Sequence, residues 1–413
     1  MAVLRLSGPG CGAVLDGLCR RPVPRMASLR RLQHGGLVLD QALVLWFPGP
    51  ASYTGEDSAE LHLHGGPAVV AAVADALVAL GARPAEPGEF TRRAFLHGKL
   101  DLTAAEGVAD LIEAETEAQR RQALRQLEGG LAGRYQGWAG RLARLLARQE
   151  TFIEFEDEDL PEGLDAAVAR DAAALRDELA AEIAGAARAE ALREGLRIAI
   201  LGAPNAGKSS LLNALAGREA AIVSPQAGTT RDVVEARLVI AGVPVVLADT
   251  AGLRETVDSI EAEGVRRARA QGLAAELVLA VFAADAAPDA ETLALLEGGA
   301  LAVVNKADLA APAMAGIAVS ARTGAGLPAL RAALEAAVRA RAGLSDLAGL
   351  TRPRHRAALA DTIAALDALP HAALPELRAE ALRAAMRALG RLTGAVGVEA
   401  ILDLVFSEFC IGK

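Results

Sequence analysis

Aromatic residues are scarce: Phe, Trp and Tyr together make only 3% of the 413 residues. The interior must therefore be built from Ala, Leu and Val, which favours helices and parallel strands over an aromatic-rich β-sandwich. Cysteine is almost missing. Cys11, Cys19 and Cys410 are odd in number, and no two have CxxC spacing. That argues against a disulfide framework or a zinc site and points to a reduced cytosol. No apolar run approaches the ~20 residues that cross a bilayer, and the opening MAVLRLSGPG lacks the apolar core of a signal peptide. The chain is expected to be cytoplasmic, with no membrane partner. Positive charge is not in excess either. Against 52 acidic residues stand 43 Lys and Arg, for a net charge of −9. Coating nucleic acid by bulk charge is disfavoured, which leaves room for a local basic patch.

Apolar residues make 52% of the chain, enough for a large core and too many for disorder. The length suggests two to four domains. Charge is uneven. Residues 1–100 hold ten Lys and Arg against eight acids, whereas residues 150–194 hold four Arg against fourteen acids. A solvated helix face accounts for most of that acidity.

Residues 1–99 read as a mixed α+β region. Ala42–Phe47 and the alternating Glu60–His64 look like strands between Pro-Gly and Gly-Gly turns, and 67–80 like a helix opening on Pro67. From 100 to 195 apolar residues such as Leu124, Leu127, Leu131, Leu142 and Leu145 recur at three- and four-residue steps, a helical period. Between 196 and 340 strands and helices alternate, with strand candidates at Val234–Ile240, Val243–Ala248, Leu277–Phe282 and Leu301–Val304. That pattern predicts a parallel, doubly wound sheet. From 341 to 413 the pattern is helical again. The expected architecture is α/β plus α: an α/β domain (196–340) inserted into a helical domain (100–195 and 341–413), behind an α+β N-terminal domain (1–99).

The strongest motif is Gly202-Ala203-Pro204-Asn205-Ala206-Gly207-Lys208-Ser209, between the strand RIAILG and the helix SSLLNALAG. Backbone N–H groups of such a loop wrap phosphates, and the helix N-terminus adds positive potential. Lys208 would reach the β/γ-phosphates, and the Ser209 hydroxyl, with Ser210 beside it, opens the helix where Mg²⁺ binds. Asp249-Thr250-Ala251-Gly252 follows the strand VPVVLA, so that Asp249 can address the metal and the Gly252 N–H the γ-phosphate. Asn305-Lys306-Ala307-Asp308 follows LAVV. The Asp308 carboxylate can accept both guanine N1–H and N2–H₂, which adenine does not offer. Ser320-Ala321-Arg322 follows another short strand, where a backbone amide can meet guanine O6. The nucleotide is therefore expected to be GTP. Thr230, in Gly228-Thr229-Thr230-Arg231-Asp232, would complete the Mg²⁺ shell when the γ-phosphate is present, as an order–disorder switch. Leu253 occupies the position after Gly252, where Ras-like GTPases carry a water-orienting Gln. Leu cannot do that.

This set resembles the GTPases that include Era, the double-GTPase ribosome factor and the tRNA-modification GTPases called MnmE or TrmE. The flanks choose among them. ALVLWFPGPASYTGEDSAELHLHGG at 42–66, EPGEFTRRAFLHGKLDLTAAEGVADL at 86–111 and the tail Phe409-Cys410-Ile411-Gly412-Lys413 are similar to the N- and C-terminal regions of the MnmE family, so the resemblance spans nearly the whole chain. The family ordinarily opens with one further strand, of the type DTIxAxATPxGxGA; this chain starts at the strand after it.

The resemblance implies a homodimer through a folate-binding N-terminal domain, and a heterotetramer with MnmG, an FAD-containing partner. The implied reaction adds an aminomethyl or carboxymethylaminomethyl group to C5 of the wobble uridine of certain tRNAs. Its one-carbon unit would come from a 5-formyl or 5,10-methylene tetrahydrofolate derivative. The family's folate contacts fall on Arg5, Glu60, Lys99 and Lys413: cations for the glutamate tail, a carboxylate for pterin N–H donors. In this family K⁺ bridges the phosphates as an arginine finger would. Asn205 can give it a side-chain oxygen, Ser224 and Gln226 backbone carbonyls and Thr229 a further oxygen. Glu261, twelve residues past Asp249, matches the family's water-orienting glutamate. Cys410 could act as a thiolate or be a buried, inert side chain, and the sequence leaves both open. His62 and His64 lack a third metal ligand and read as structural. The rival reading is a GTP-dependent ribosome-assembly binding factor, which would call for an RNA-binding appendage such as a GXXG-bearing KH domain.

Overall fold

The computed structural model describes residues 1–154, 164–217, 234–249, 275–342 and 349–395. The chain divides into two compact units. One is drawn from Met1–Ile112, Leu124–Arg176 and Asp361–Lys413, the other from Glu113–Ala123 and Asp177–Ala360.

The first unit begins with a four-stranded antiparallel sheet. Its strands are β1 (Ala2–Ser7), β2 (Ser28–His34), β3 (Leu37–Phe47) and β4 (Ser58–Leu63), in the order β1-β4-β3-β2. Strand β4 shows why it forms. In SAELHL, Ala59, Leu61 and Leu63 are fully buried while Glu60 and His62 face the other way, the two-residue period of a one-sided sheet. Helices α1 (Cys11–Asp16) and α2 (Pro67–Ala79) cover the buried face. Leu6, Leu15, Leu32, Val44, Trp46, Leu61, Val73 and Leu77 share one core there. Helix α2 starts on Pro67, whose fixed φ and missing N–H suit the first turn. Helix α3 (Glu89–Leu96) follows it.

The helical part of this unit includes α4 (Leu102–Glu113), α6 (Gly130–Glu154) and α12 (Pro375–Thr393). Leu131, Tyr135, Trp138, Leu142 and Leu145 make the buried stripe of α6, and Leu382, Leu389 and Leu392 that of α12. The pair is pinned where Gln149 donates to the Pro375 carbonyl at 3.3 Å and Arg383 pairs with Glu150. Helices α5 (Glu117–Leu127), α7 (Leu164–Glu194) and α11 (Pro353–Ala368) each lie partly in both units.

The second unit holds a six-stranded sheet in the order β10-β9-β8-β5-β7-β6. Its strands are β5 (Leu196–Leu201), β6 (Val234–Ile240), β7 (Val243–Asp249), β8 (Leu277–Ala283), β9 (Leu301–Asn305) and β10 (Ile317–Ala318). Helices α8 (Lys208–Ala216), α9 (Ala290–Glu297) and α10 (Leu327–Ala342) belong to it. Strands β5, β7, β8, β9 and β10 are mutually parallel, but β6 pairs with β7 antiparallel. The parallel, doubly wound sheet is thus present, with edge strand β6 as its one departure among the described residues. The link between β6 and β7 is only Ala241-Gly242, both at positive φ (55° and 79°). Two such residues close a primed hairpin turn, whereas a parallel partner needs a crossover of a dozen residues or more.

Candidate nucleotide site

Strand β5 has β7 on one side and β8 on the other. Its C-terminal end is thus the point where strand order reverses, the place where open α/β sheets bind ligands. The chain leaves β5 at Gly202, loops through 203–207 and enters α8 at Lys208. The two motif glycines are there for space as well as for phosphate. A Cβ on Gly202 would lie 2.2 Å from the Val281 carbonyl oxygen, and one on Gly207 2.3 Å from Asn305 Nδ2. Gly207 also sits at φ +86°, and Asn205 is left-handed at φ +63°, a conformation Asn tolerates better than most residues.

Lys208 Nζ donates to the carbonyls of Gly202 and Ala203, both at 2.9 Å. Its side chain therefore arches back over the loop that it would serve. Ser209 and Ser210 are exposed on the first turn of α8, while Ala206 is buried beneath the loop.

Asn305 joins this loop to the base-recognition segments. It is 2% exposed. Its Nδ2 donates to Ala206 O at 3.0 Å and Gly207 O at 3.3 Å, and its Oδ1 accepts from Ala321 N at 3.1 Å. One amide thus ties together three segments of the sequence. The 320–326 turn is closed by Ser320 Oγ, which accepts from Thr323 N, and by Ser320 N donating to Ala325 O. Gly326 is required in it: at φ +74°, an added Cβ would stand 1.9 Å from Ala318 O.

The Asp308 carboxylate is held by Arg322, whose Nε donates at 3.0 Å and whose Nη2 makes a second bond to the same oxygen. Hydrogen bonding from Ser320 and then from Arg322 lowers the Asp308 pKa, so the group is an anion ready for two donors. Lys306, left-handed at φ +62°, reaches Asp285 at 3.1 Å. Asp285, just past β8, went unnoticed in the sequence because no local motif marks it. Asp249 ends β7. Ser224, Gln226, Thr229, Thr230, Thr250, Ala251, Gly252 and Glu261 lie outside the described residues, as do Leu253, Cys410 and Lys413.

In the N-terminal sheet, Arg5 and Glu60 face each other across β1 and β4. Arg5 Nη2 stands 2.8 Å from Glu60 Oε1, with the guanidinium 5.9 Å from the Phe90 ring centre. Burial raises the Glu60 pKa, but hydrogen bonds from His62 and Arg5 outweigh it and the net shift is downward. Lys99 Nζ donates to Pro50 O at 3.0 Å. The two histidines are separately occupied: His62 pairs with Glu60 and His64 with Asp40. Sequence reading also missed a chain of charges running Arg83–Glu89–Arg93–Glu56, with contacts of 2.6, 2.8 and 2.9 Å. It fastens α3 to the 52–58 segment, and Glu89 falls from 4.5 to about 2 within it: burial opposes the shift, and bonds from Arg83, the Glu86 N–H and Arg93 overcome it.

A phosphate loop at a switch point, a buried asparagine tying it to a base loop, and an aspartate anion in that loop define a GTPase of the P-loop class. Family comparison narrows this. The model described as GTP-binding protein TrmE N-terminus matches residues 1–99, and that of the MnmE helical domain residues 102–410. The protein named tRNA modification GTPase MnmE from Gluconacetobacter diazotrophicus is 60% identical over 424 residues, covering 100% of this chain and 96% of the relative. Those of Granulibacter bethesdensis and Paramagnetospirillum magneticum are 56% and 53% identical at the same coverage. The chain belongs to the MnmE family of tRNA modification GTPases. Among solved structures, the G domain of the T. maritima FeoB iron transporter is 26% identical, covering 34% of this chain and 98% of that one. Its TM-score of 0.26 is too low to bear on the fold.

Proposed function

We propose that this chain hydrolyses GTP to drive modification of the wobble uridine of certain tRNAs at C5. In this reading it acts in the cytoplasm as a homodimer, with an FAD-containing MnmG partner and a tetrahydrofolate derivative as one-carbon donor. The observation that carries the reading is the Asn305 bridge. It fixes the phosphate loop and the Asp308 loop in one rigid frame, as a site must when it selects guanine and positions a γ-phosphate together. Full-length family membership supports the tRNA half. No helix among the described residues is long and apolar enough to cross a membrane.

Lys208 Nζ holds the loop carbonyls of Gly202 and Ala203; bound phosphates would draw its ammonium away from them. Asn205, Ala206, Gly207, Lys208, Ser209 and Ser210 would hold the phosphates, and Asn305, Lys306, Asp308, Ser320, Ala321 and Arg322 the base. The Ala321 N–H already serves Asn305, so it would be shared with guanine O6. The exposed Ser209 hydroxyl is the hard oxygen donor that Mg²⁺ requires, with Thr230 and Asp249 completing the shell. Bound Mg²⁺ would neutralise developing phosphate charge. The exposed Asn205 amide offers an oxygen suited to K⁺, with Ser224, Gln226 and Thr229 as its other donors. Glu261 would orient the attacking water in place of the Gln that Leu253 replaces. Arg5, Glu60, Lys99 and Lys413 would hold the folate; Arg5 and Glu60 are already adjacent.

The decisive experiment is nucleoside analysis of tRNA from a strain lacking the gene, with and without a plasmid-borne copy. Loss and return of the modified wobble uridine supports the reading. Unchanged nucleosides refute it.

A further inference from the structure

The chain is acidic overall, yet from Gly17 to Leu39 it contains five arginines and no acidic residue. These are Arg20, Arg21, Arg25, Arg30 and Arg31. Their backbones lie along one edge of the N-terminal sheet: β2 is an edge strand, and the chain before it runs alongside, where Leu18 O accepts from Gln33 N. Arg25 N donates to Trp46 O at 2.8 Å near one end of β3. Near the other end Arg30 and Arg31 are in register with Ala42 and Gln41. Arg30 Nε donates to the Arg20 carbonyl at 2.9 Å, which brings Arg20 to the same place. From Phe47 to Gln41 is about 20 Å of strand.

Only Arg21, among the described residues, has a carboxylate partner, Asp16. Among the described residues Arg20, Arg25, Arg30 and Arg31 face none, whereas the arginines of the helical region are largely paired, as Arg383, Arg387 and Arg391 are. Three of the five guanidiniums are held in place. Arg21 lies 4.6 Å from the Trp46 ring centre and Arg25 5.9 Å from that of Phe47. Arg25 also donates to Ala51 O, and Arg30 to Leu29 O at 3.1 Å. Ordering in advance lowers the entropy lost on binding. Val23, Met26 and Leu29 are exposed among them, which gives apolar surface beside the charge. All five cations are arginine, whose planar fork matches phosphate oxygens in pairs and stacks on flat rings.

We propose that this Arg20–Arg31 edge is a docking surface for the phosphate backbone of tRNA. The inference rests on the tRNA-modifying reading above and adds where this chain itself would hold the RNA. Five arginines, four of them without a carboxylate partner among the described residues and three held in place, on an otherwise acidic molecule leave RNA repelled elsewhere and attracted here, so they supply orientation rather than bulk affinity. Sequence-independent contacts of this kind suit an enzyme that serves several tRNAs.

The test uses the full-length protein and labelled tRNA, with binding followed by fluorescence anisotropy from low to moderate salt. Arg20 and Arg31 have exposed side chains and make no side-chain bond among the described residues. The double variant Arg20→Gln/Arg31→Gln should therefore melt at the wild-type temperature. It should bind tRNA about tenfold or more weakly, with a log–log salt slope shallower by ~1.4–1.8, the loss expected for two phosphate contacts. Arg144→Gln/Arg331→Gln, the same charge change at two exposed helical positions, should leave both quantities unchanged. Unaltered binding in the first variant, an equal loss in the second, or no tRNA binding by the wild type would overturn the proposal. So would a change in the solution mass of the first variant, which would assign the edge to a protein interface. Failure here with the wobble nucleoside still dependent on the gene would leave the enzymatic reading standing; loss of that dependence would remove both.

Discussion

Replacing Asn305 probes the frame of the nucleotide site without touching any residue expected to contact phosphate. The side chain makes three hydrogen bonds in a buried setting. At ~0.5–1.5 kcal/mol each, and more where a partner is left buried and unpaired, Asn305→Ala should cost about 2–4 kcal/mol. Asn305→Asp is the sharper change. It keeps the volume and the oxygen that accepts from Ala321 N. It also turns the donor facing two carbonyls, at 3.0 and 3.3 Å, into an acceptor. Three oxygens then crowd one space with no proton among them. Burial and the two carbonyls favour the protonated acid, whose hydroxyl can donate again. The folded-state pKa of the new group is thus raised above its unfolded value, so the variant is most nearly normal at low pH and loses stability as pH rises. Titration of a fluorescent GDP analogue, with melting curves at pH 5.5 and 8, reads both effects. If half the ~2–4 kcal/mol falls on the bound state, affinity drops by roughly 5–30-fold. We expect Asn305→Asp to be the weaker binder of the two at pH 8. Wild-type affinity and melting in both variants would refute the bridging argument, and so would Asn305→Asp outperforming Asn305→Ala at pH 8.

Asp308→Asn should move preference from GTP toward xanthosine triphosphate, because the new amide can donate to a carbonyl at C2; an unchanged preference in competition binding would count against the base assignment. Glu89 has a pKa lowered to about 2, so it contributes stability above pH ~4.5 that is lost as pH falls toward 2. Melting temperature against pH should therefore fall less steeply across that window in Glu89→Gln than in the wild type, and parallel curves would contradict the charge-chain geometry. GTP hydrolysis should run faster in K⁺ than in Na⁺. Glu261→Ala should lower kcat by ~10²-fold or more with little change in nucleotide affinity; equal rates in both salts and a normal kcat would leave the proposed water positioning unsupported.

The phosphate loop was legible because phosphate chemistry demands particular residues at fixed local spacing. Five of the six strands of its sheet could be given ranges from apolar runs bounded by turns, and the sixth was read only as a short strand ahead of Ser320. The antiparallel direction of β6 was not read, although Ala241-Gly242 carried the signal for a hairpin. What sequence could not show was non-local. Asn305 reaches a carbonyl 99 residues away, and nothing near it in the chain says that its amide holds the phosphate loop. The Asp308–Arg322 pair and the Arg83–Glu89–Arg93–Glu56 chain likewise exist only after folding. In the N-terminal sheet, alternation in SAELHL located the strand and its faces. It did not reveal that Arg5 would lie directly opposite Glu60, since register depends on the partner strand.

The pairing of α6 with α12 has a consequence for synthesis on the ribosome. Gln149 and Pro375, which hold the two helices together, are 226 residues apart. At roughly 5–20 residues per second, about 10–45 s pass between the emergence of one helix and that of its partner. Through that interval Leu142 and Leu145, buried in the finished fold, have no α12 to cover them. The nascent chain therefore displays an apolar helical stripe while the inserted nucleotide-binding sheet is still being made. Folding of that sheet and shielding of the stripe by a chaperone become competing demands on one tethered chain, and the helical core can close only after α12 has been translated.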